Sequence, residues 1–318
     1  MKRLHIIIIY SIVLGLTLAL ASKATAQTCD LPISIAFESS DAEHLTEQTK
    51  QQIVNKLKQM LTRNGVAGDM YYSQFVMVPH VSEIDKHILA GPPTKVVLNL
   101  NVNLEIRELN EGVVISAYSK DVNGVGNNEA KAYAQAVRQI GMGIDDAKRF
   151  IDNARSKIVS YYDRNSNNIM KKAQLLAATQ QYDEALYHLM AVPECCNSYD
   201  QVARTAMAIY QIRIDREGQQ LLLNAQAIWA AGNNDKAAMQ AAAVLVQIDP
   251  DAKCYPEASK LLAEIKKKSS ANAPWNFEMK KFDAAVDIEK HKIEAAKAVG
   301  VAYGNNQQPA TTNLVFAK

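Results

Sequence analysis

The residues with the most chemistry to offer are four cysteines: Cys29, the adjacent Cys195 and Cys196, and Cys254. Thiols can close disulfides, hold zinc or attack as nucleophiles. Zinc needs pairs at ligand spacing with histidines close by, and the six histidines are scattered. A Cys–His nucleophile would draw on His188, but adjacent cysteines in an oxidising compartment argue against it. No Gly-x-Ser-x-Gly or His-Glu-x-x-His run is present, so neither hydrolase signature applies. Gly124 and Gly126 form a Gly-x-Gly pattern ahead of a helical stretch. A dinucleotide fingerprint needs a third glycine where Glu129 stands, so two glycines serving a tight strand-to-helix turn is the expectation. No catalytic, cofactor-binding or metal-binding residue is assigned.

Whether the thiols pair depends on the compartment. Met1-Lys2-Arg3 supplies a positive start, residues 6–21 are almost wholly apolar, and Ala24-Thr25-Ala26 has the small-x-small pattern of a cleavage site. The apolar run is short for spanning a bilayer of about 30 Å. Residues 1–26 therefore read as a cleavable secretory signal, and the mature protein is expected to be periplasmic or secreted. Lipid anchoring at Cys29 is a minor alternative, because Ala26-Gln27-Thr28 fits poorly before an acylated cysteine. Removing residues 1–26 takes Lys2, Arg3 and Lys23 and no acidic residue, which turns the formal +2 into −1. Such a chain carries no electrostatic footprint for nucleic acid. Lys266, Lys267 and Lys268 read as the solvated end of a helix, and peripheral or no membrane contact is expected.

The elements that must position these groups fall into two parts. Over residues 29–142, Leu31, Ile33, Ile35 and Phe37 alternate as a first strand, with Ser34 and Glu38 on its other face. Ser40 or Asp41 can cap a helix carrying Ile53, Leu57, Met60 and Leu61, which Asn64-Gly65 stops. Residues 75–79 make a short second strand. Val96, Leu98, Leu100, Val102, Leu104 and Ile106 alternate with polar residues, and a turn at Asn110-Glu111-Gly112 leads into a strand near 113–122, giving an antiparallel hairpin. A helix from Asn128 should face Ala130, Tyr133, Ala134, Val137 and Ile140 inward. The order is β-α-β-β-β-α. With Ser119-Lys-Asp-Val-Asn-Gly-Val-Gly126 leading into the helix over 129–140, this part resembles the periplasmic domains of the CsgG and TolB N-terminal type. That resemblance implies service in envelope assemblies and no catalytic residues.

Residues 143–270 are expected to be all-helical. Ala147, Phe150, Ile151, Ala154, Ile158 and Tyr161 mark a linking helix. Ala173-Gln174, Ala178, Asp183 and Ala185 then recur 52 positions later as Ala225-Gln226, Ala230, Asp235 and Ala237, which is an internal repeat of helical hairpins. Tyr182-Asp-Glu-Ala-Leu186 with Pro193, and Gln247-Ile-Asp-Pro250, resemble tetratricopeptide repeats. That family repeats at about 34 residues, so the extra length is assigned to a long helix over 199–228. Cys195 and Cys196 follow one hairpin and Cys254 the next. A disulfide from Cys254 to either Cys195 or Cys196 is the favoured pairing, connectivity not being deducible from sequence. A concave surface between stacked hairpins would be the interaction site.

Residues 271–304 read as a last amphipathic helix carrying Trp275, Phe277, Met279, Phe282, Val286 and Ile293. It either caps the repeats or docks a partner through Trp275, Phe277 and Phe282. Residues 305–318 read as a flexible tail, whose Asn313-Leu-Val-Phe316 could add a strand to a partner's sheet. The segments Gly124-Val-Gly-Asn-Asn-Glu-Ala-Lys-Ala-Tyr133, Val192-Pro-Glu-Cys-Cys196 and Trp275-Asn-Phe-Glu-Met-Lys-Lys-Phe282 are similar to those of secreted proteins of gut Bacteroidetes and their mobile elements, a likeness that implies no activity.

The fold class expected is α+β. The function expected is a non-enzymatic envelope protein that binds other proteins, as a subunit or accessory of an outer-membrane or surface assembly, with homo-oligomerisation possible. Alternatives are a ligand- or glycan-binding module, to which Tyr71, Tyr72 and His80 could contribute, and a hydrolase assembled from residues distant in sequence.

Overall fold

A computed structural model describes residues 31–68, 73–109, 111–140, 143–269, 276–280, 287–305 and 314–316. The signal over 1–26, Cys29, Tyr71, Tyr72, Trp275 and Phe282 lie outside the described residues. The fold is α+β, with a five-stranded mixed sheet followed by a mostly helical region. Strand β1 (Ile33–Glu38) is covered on both faces. Ile33, Ile35 and Phe37 enter the main core, while Ala36 meets Val76 and Val78 on the other side. Two helices follow where one was expected: α1 (Ser39–His44) and α2 (Glu47–Arg63). The cap of the long helix is Thr46, not Ser40 or Asp41. Thr46 is extended, and its Oγ1 accepts the Thr49 N–H at 3.2 Å, satisfying one of the orphan donors of the first turn. Gly65, at φ +65°, turns the chain out after Asn64 as its position promised.

Strand β2 (Phe75–Leu89) is far longer than the five residues its apolar run marks. Residues 82–87 show no apolar alternation because they are mostly exposed, and burial is what alternation reports. It pairs antiparallel with β3 (Lys95–Glu108), which pairs antiparallel with β4 (Val114–Gly126). Strand β1 lies parallel to β2, in register Ile33↔Phe75 to Ile35↔Met77. The C-terminal residues Leu314–Phe316 form β5, antiparallel to β1. That segment therefore completes the chain's own sheet, in the order β4-β3-β2-β1-β5.

Helix α3 (Glu129–Arg138) is capped by Asn128, whose Oδ1 accepts the Lys131 N–H at 2.9 Å. It buries Ala132, Ala136 and Val137, whereas Ala130 is exposed. The glycines of β4 decide this phase. A Cβ on Gly124 would lie 1.9 Å from the Ala132 carbonyl oxygen, and one on Gly126 would lie 2.4 Å from the Ala132 nitrogen. Neither glycine has positive φ. They belong to the strand itself and serve close helix approach, not a strained turn.

The helical part runs through α4 (Ile144–Ala178), α5 (Tyr182–Met190), α6 (Tyr199–Gly232), α7 (Asp235–Leu245), α8 (Tyr255–Lys268) and α9 (Ile288–Asn305). The expected linking helix and the first helix of the first hairpin are one continuous α4. The breaks at 179–181 and 233–234, and the long α6, are where the repeat put them. Lys266, Lys267 and Lys268 form the last turn of α8. Helix α9 begins later than residues 271–304 suggested, since 276–280 are irregular. It packs on α5, where a Cβ on Gly300 would meet the Leu186 backbone at 3.1 Å and the Tyr187 and Tyr303 rings stand 5.7 Å apart. One buried cluster joins the sheet to α4, α5, the first half of α6 and Ala296, and a second joins the end of α6 to α7 and α8.

The repeat extends to a pair of carboxylates, Asp163 on α4 and Asp215 on α6, also 52 positions apart. Asp163 accepts from the Ser198 N–H (3.1 Å), Ser198 Oγ (3.1 Å) and Asn197 Nδ2 (2.8 Å). Asp215 accepts from the Lys253 N–H (2.9 Å), Lys253 Nζ (2.7 Å) and Gln211 Nε2 (2.8 Å). Each aspartate clamps the loop that enters the next long helix. Burial raises both carboxyl pKa values, but the donated hydrogen bonds outweigh it and leave both below the ordinary value. Depressed carboxylates contribute stability above the unfolded pKa, near 4, that is lost as pH falls through the folded value. Asp163→Asn and Asp215→Asn are each expected to cost about 1 kcal/mol at pH 7. The double variant should show a shallower loss of stability between about pH 5 and pH 2 in urea titrations. An acid profile that matches the native chain would refute the clamps.

Candidate functional site

Five charged or titratable side chains meet where β1, β2 and β3 run side by side. Glu38 ends β1, Asp41 lies in α1, His80 is on β2, and Glu105 and Arg107 are on β3. The parallel β1–β2 and antiparallel β2–β3 registers bring these positions together on one sheet face. Arg107 is central. Its Nη1 donates to Glu38 Oε1 at 2.5 Å, and its Nε and Nη2 donate to Glu105 Oε2 at 2.8 and 2.6 Å. Its Nη2 also donates to His80 Nε2 at 3.1 Å, while His80 Nδ1–H donates to Asp41 Oδ2 at 2.6 Å. Asn103 Nδ2 adds a bond to Glu105 at 3.0 Å.

This network has the parts of an acid–base site and a different wiring. An Asp–His pair assists a nucleophile when the outer ring nitrogen is open to take its proton. Here the outer nitrogen of His80 already accepts from Arg107, so both ring nitrogens are occupied. Glu38, Asp41 and His80 place one donor atom each within 4.8 Å of one another. A cation there would have to displace the guanidinium from Glu38 and the proton between His80 and Asp41. Burial raises the Glu105 pKa, and the hydrogen bond and charge of Arg107 more than reverse it, holding Glu105 below the usual range. The cluster is charge-compensated, and it locks three strands and α1 together.

The second feature is the outer half of β2. Its registered pairing with β1 ends at Met77, while pairing with β3 continues to Leu89. Among the described residues, positions 81–89 thus have a strand on one side only. Ile84, Ile88 and Leu89 are 55, 67 and 54 % exposed. A bulge at Glu83/Asp85 interrupts the ladder, and Asp85 and Lys86 place charge around it. Lys86 pairs with Glu129, and His87 Nε2 lies 2.6 Å from Asp85. Strand β4 is also an edge, but its exposed valines, Val114 and Val125, stand near opposite ends. Leu175, Ile212 and Leu223 are exposed on the long helices; single apolar exposures of that sort are ordinary. Three large apolar residues within six positions on an open strand are not ordinary.

The cysteines depart from expectation. Cys196 and Cys254 are free and buried, so neither takes part in the favoured pairing of Cys254 with Cys195 or Cys196. Cys196 belongs to the main cluster and Cys254 to the second. Their loops are clamped to different helices, Cys196's to α4 and Cys254's to α6. Cys254 instead caps α8, with its sulfur packed where a Cβ on Gly218 would stand, 2.9 Å away. Cys195, half-buried in the loop between α5 and α6, is not free. Phe277 lies half-buried with Met279 against the second cluster. Burial and Lys172 hold the His188 imidazole below its usual pKa, and it sits 3.8 Å from Glu184 on the same helix.

Sequence reasoning missed the Arg107 network, whose members are spread over some seventy positions and carry no motif. It also missed Asp163 and Asp215, which the 52-residue offset could have found. Among the described residues no helix is long and apolar enough to cross a membrane.

No protein-family model and no curated protein matches the chain. Two solved structures are similar to part of it. A minor lipoprotein from Acinetobacter baumannii shares 18% identity, covering 39% of this chain and 94% of that one at a TM-score of 0.27. A protein assigned as a lipoprotein in Caulobacter crescentus CB15 shares 12%, covering 39% and 88% at 0.23. Likeness at that level decides neither fold nor activity.

Proposed function

We propose that this chain is an exported, non-enzymatic protein of the cell envelope that binds another protein by strand addition along residues 81–89 of β2. The observation that carries the reading is the open edge with Ile84, Ile88 and Leu89 exposed on it. An extended segment laid on that edge gains backbone hydrogen bonds, and its alternate side chains cover the three apolar residues. The bulge and the charges around it discourage indiscriminate pairing. Glu83, Asp85 and Glu129 against Lys86 leave the rim acidic, which favours a partner strand that alternates apolar with basic residues. The secretory signal read from residues 1–26 supplies the compartment.

A photocrosslinking side chain at position 88, with one at the likewise exposed Ile212 as control, tests this in the native envelope. The expected result is a discrete adduct from position 88 only. In the Ile84→Lys variant the partner's affinity should fall roughly tenfold or more at unchanged melting temperature, since that side chain is exposed. An adduct of twice the chain's mass would identify a second copy as the partner. Equal adducts from both positions, or none, would sink the reading.

A further inference from the structure

Helix α9 lies across α5 and α6, and it is held differently from the way the hairpins hold one another. Three small residues at four-residue spacing, Ala296, Gly300 and Gly304, share one helix face. A Cβ on Gly300 would stand 3.1 Å from the Leu186 carbonyl and from the Tyr187 Cα, and one on Gly304 would stand 2.5 Å from the Tyr187 ring. The fit at Gly300 is thus backbone against backbone, over a floor made by Leu186 and Tyr187. At the rim, Lys292 Nζ donates to Gln211 Oε1 at 2.7 Å, and Lys297 Nζ pairs with Glu194 at 3.1 Å.

The seat is built without α9, and α9 gives little to the core. Helix α5 packs on α4 as well as on α6. Arg213 Nε on α6 donates to Asp183 Oδ1 on α5 at 2.7 Å, and Asp163 clamps the loop between them. Of the described positions of α9, Ala296 and Gly300 alone are fully buried, and neither has a side chain larger than a methyl to contribute. Both partners in the Lys297–Glu194 pair are more than half exposed, where such a pair adds little. The chain is anchored on either side of this helix. Phe277 and Met279 lie against the second cluster, with Tyr255 Oη donating to the Lys280 carbonyl, and β5 pairs with β1. A lightly seated helix between two anchored segments leaves its groove and returns to it at high effective concentration.

We propose that the α5–α6 face is a helix-receiving groove which α9 fills in the resting chain, and that a partner protein enters it by displacing α9. The seat specifies the partner helix. It carries alanine or glycine at three positions four apart, to lie against the Leu186–Tyr187 backbone. It carries lysine or arginine four positions before the first of these and one position after it, to meet Gln211 and Glu194. Its apparent affinity is reduced by the fraction of chains in which the groove stands open. Strand addition along β2 uses another surface, so the two readings fail separately.

A fluorescent peptide with the sequence of residues 287–305 serves as the probe, and the full chain as the receptor. The Gly300→Val chain, whose own α9 no longer fits, is expected to bind it roughly tenfold or more tightly than the native chain does. A peptide that itself carries Gly300→Val should bind neither. Lys297→Glu in the peptide should weaken binding about threefold, and Glu194→Lys in the receptor should restore it. Native-state hydrogen exchange needs no variant: amides of α9 should exchange roughly tenfold or more faster than those of α5 and α6. Carbodiimide crosslinking of mixed light and isotope-heavy chains should join Lys297 to Glu194 within one chain. Exchange of α9 at the rate of α5 and α6, or equal peptide affinity in the native and Gly300→Val chains, would overturn the proposal. So would a crosslink between chains, which assigns the groove to a second copy. Hydrogen exchange and the crosslink decide the matter even where the Gly300→Val chain fails to fold.

Discussion

Replacing Gly124 with valine is expected to destabilise the fold by about 3 kcal/mol, lowering the melting temperature by roughly 5–10 °C. The cause is not backbone freedom, since Gly124 has no positive φ. A Cβ there would stand 1.9 Å from the Ala132 carbonyl oxygen and 2.8 Å from the Ala136 nitrogen. These are backbone atoms of α3, and no rotamer change moves them aside. The helix must shift off β4, opening gaps around Ala132, Ala136 and Val137, which are all buried. A close-packed interior gives up dispersion contacts when that happens. Gly91→Ala supplies the control, because a Cβ there meets nothing within 4 Å. Equal stability of the two variants in urea unfolding would mean that α3 does not approach β4 this closely.

Arg107→Met should cost about 2 kcal/mol at pH 7, and less as the pH falls below about 4. The guanidinium is 16 % exposed and serves Glu38, Glu105 and His80 together. Removing it leaves Glu38, Asp41 and Glu105 close together with no guanidinium among them. The cost is discounted from that of a deeply buried pair because water reaches the rim. In the native chain Glu105 is depressed, so its contribution is present above the unfolded carboxylate pKa and lost as pH falls through the folded value. Without Arg107 the burial that raises Glu105 is opposed only by the Asn103 hydrogen bond and His80. Its folded pKa then moves up, so less stability is left to lose on protonation and the penalty shrinks as pH falls. Urea unfolding at pH 7, 4.5 and 3 reads this directly. A penalty independent of pH would assign Arg107 a packing role through its alkyl stem.

Much of the architecture is legible from local pattern. The alternation from Val96 to Ile106 marks β3, because one face of that strand is dry and the other is wet. Asn64-Gly65 marks the end of α2, because the left-handed turn there suits glycine. The 52-residue recurrence of Ala-Gln and Asp marks both hairpins and requires a long helix between them. Where the reading fails, burial and sequence come apart. The outer half of β2 carries no alternation because neither face is covered, and its length is dictated by pairing with β3. Helix α3 and its end bury Val137 and Ile140 as the apolar residues suggest, but Ala130 is exposed while Ala132 and Ala136 are buried, because two glycines on another element set the closest approach. The Thr46 cap was overlooked because Ser40 and Asp41 offered the same chemistry a few positions earlier.

The candidate sites divide in the same way. Cysteines following each hairpin are visible in the sequence, and pairing them with one another was the natural expectation. The structure fastens their loops to different helices, which leaves Cys196 and Cys254 as buried thiols in separate clusters. Arg107, His80, Glu38, Asp41 and Glu105 become a network only when three strands and α1 lie together. Leu314, Val315 and Phe316 become an edge strand only because β1 has a side left open.

By itself, then, the sequence determined the α+β division, the hairpin repeat and most element ends, since each depends on residues within a turn or two of one another. The tertiary structure alone decided which thiols are free, how the charges are wired, and which stretch of β2 is left with an open edge. Those outcomes depend on contacts between segments distant along the chain, and local periodicity records that a face is covered without recording what covers it.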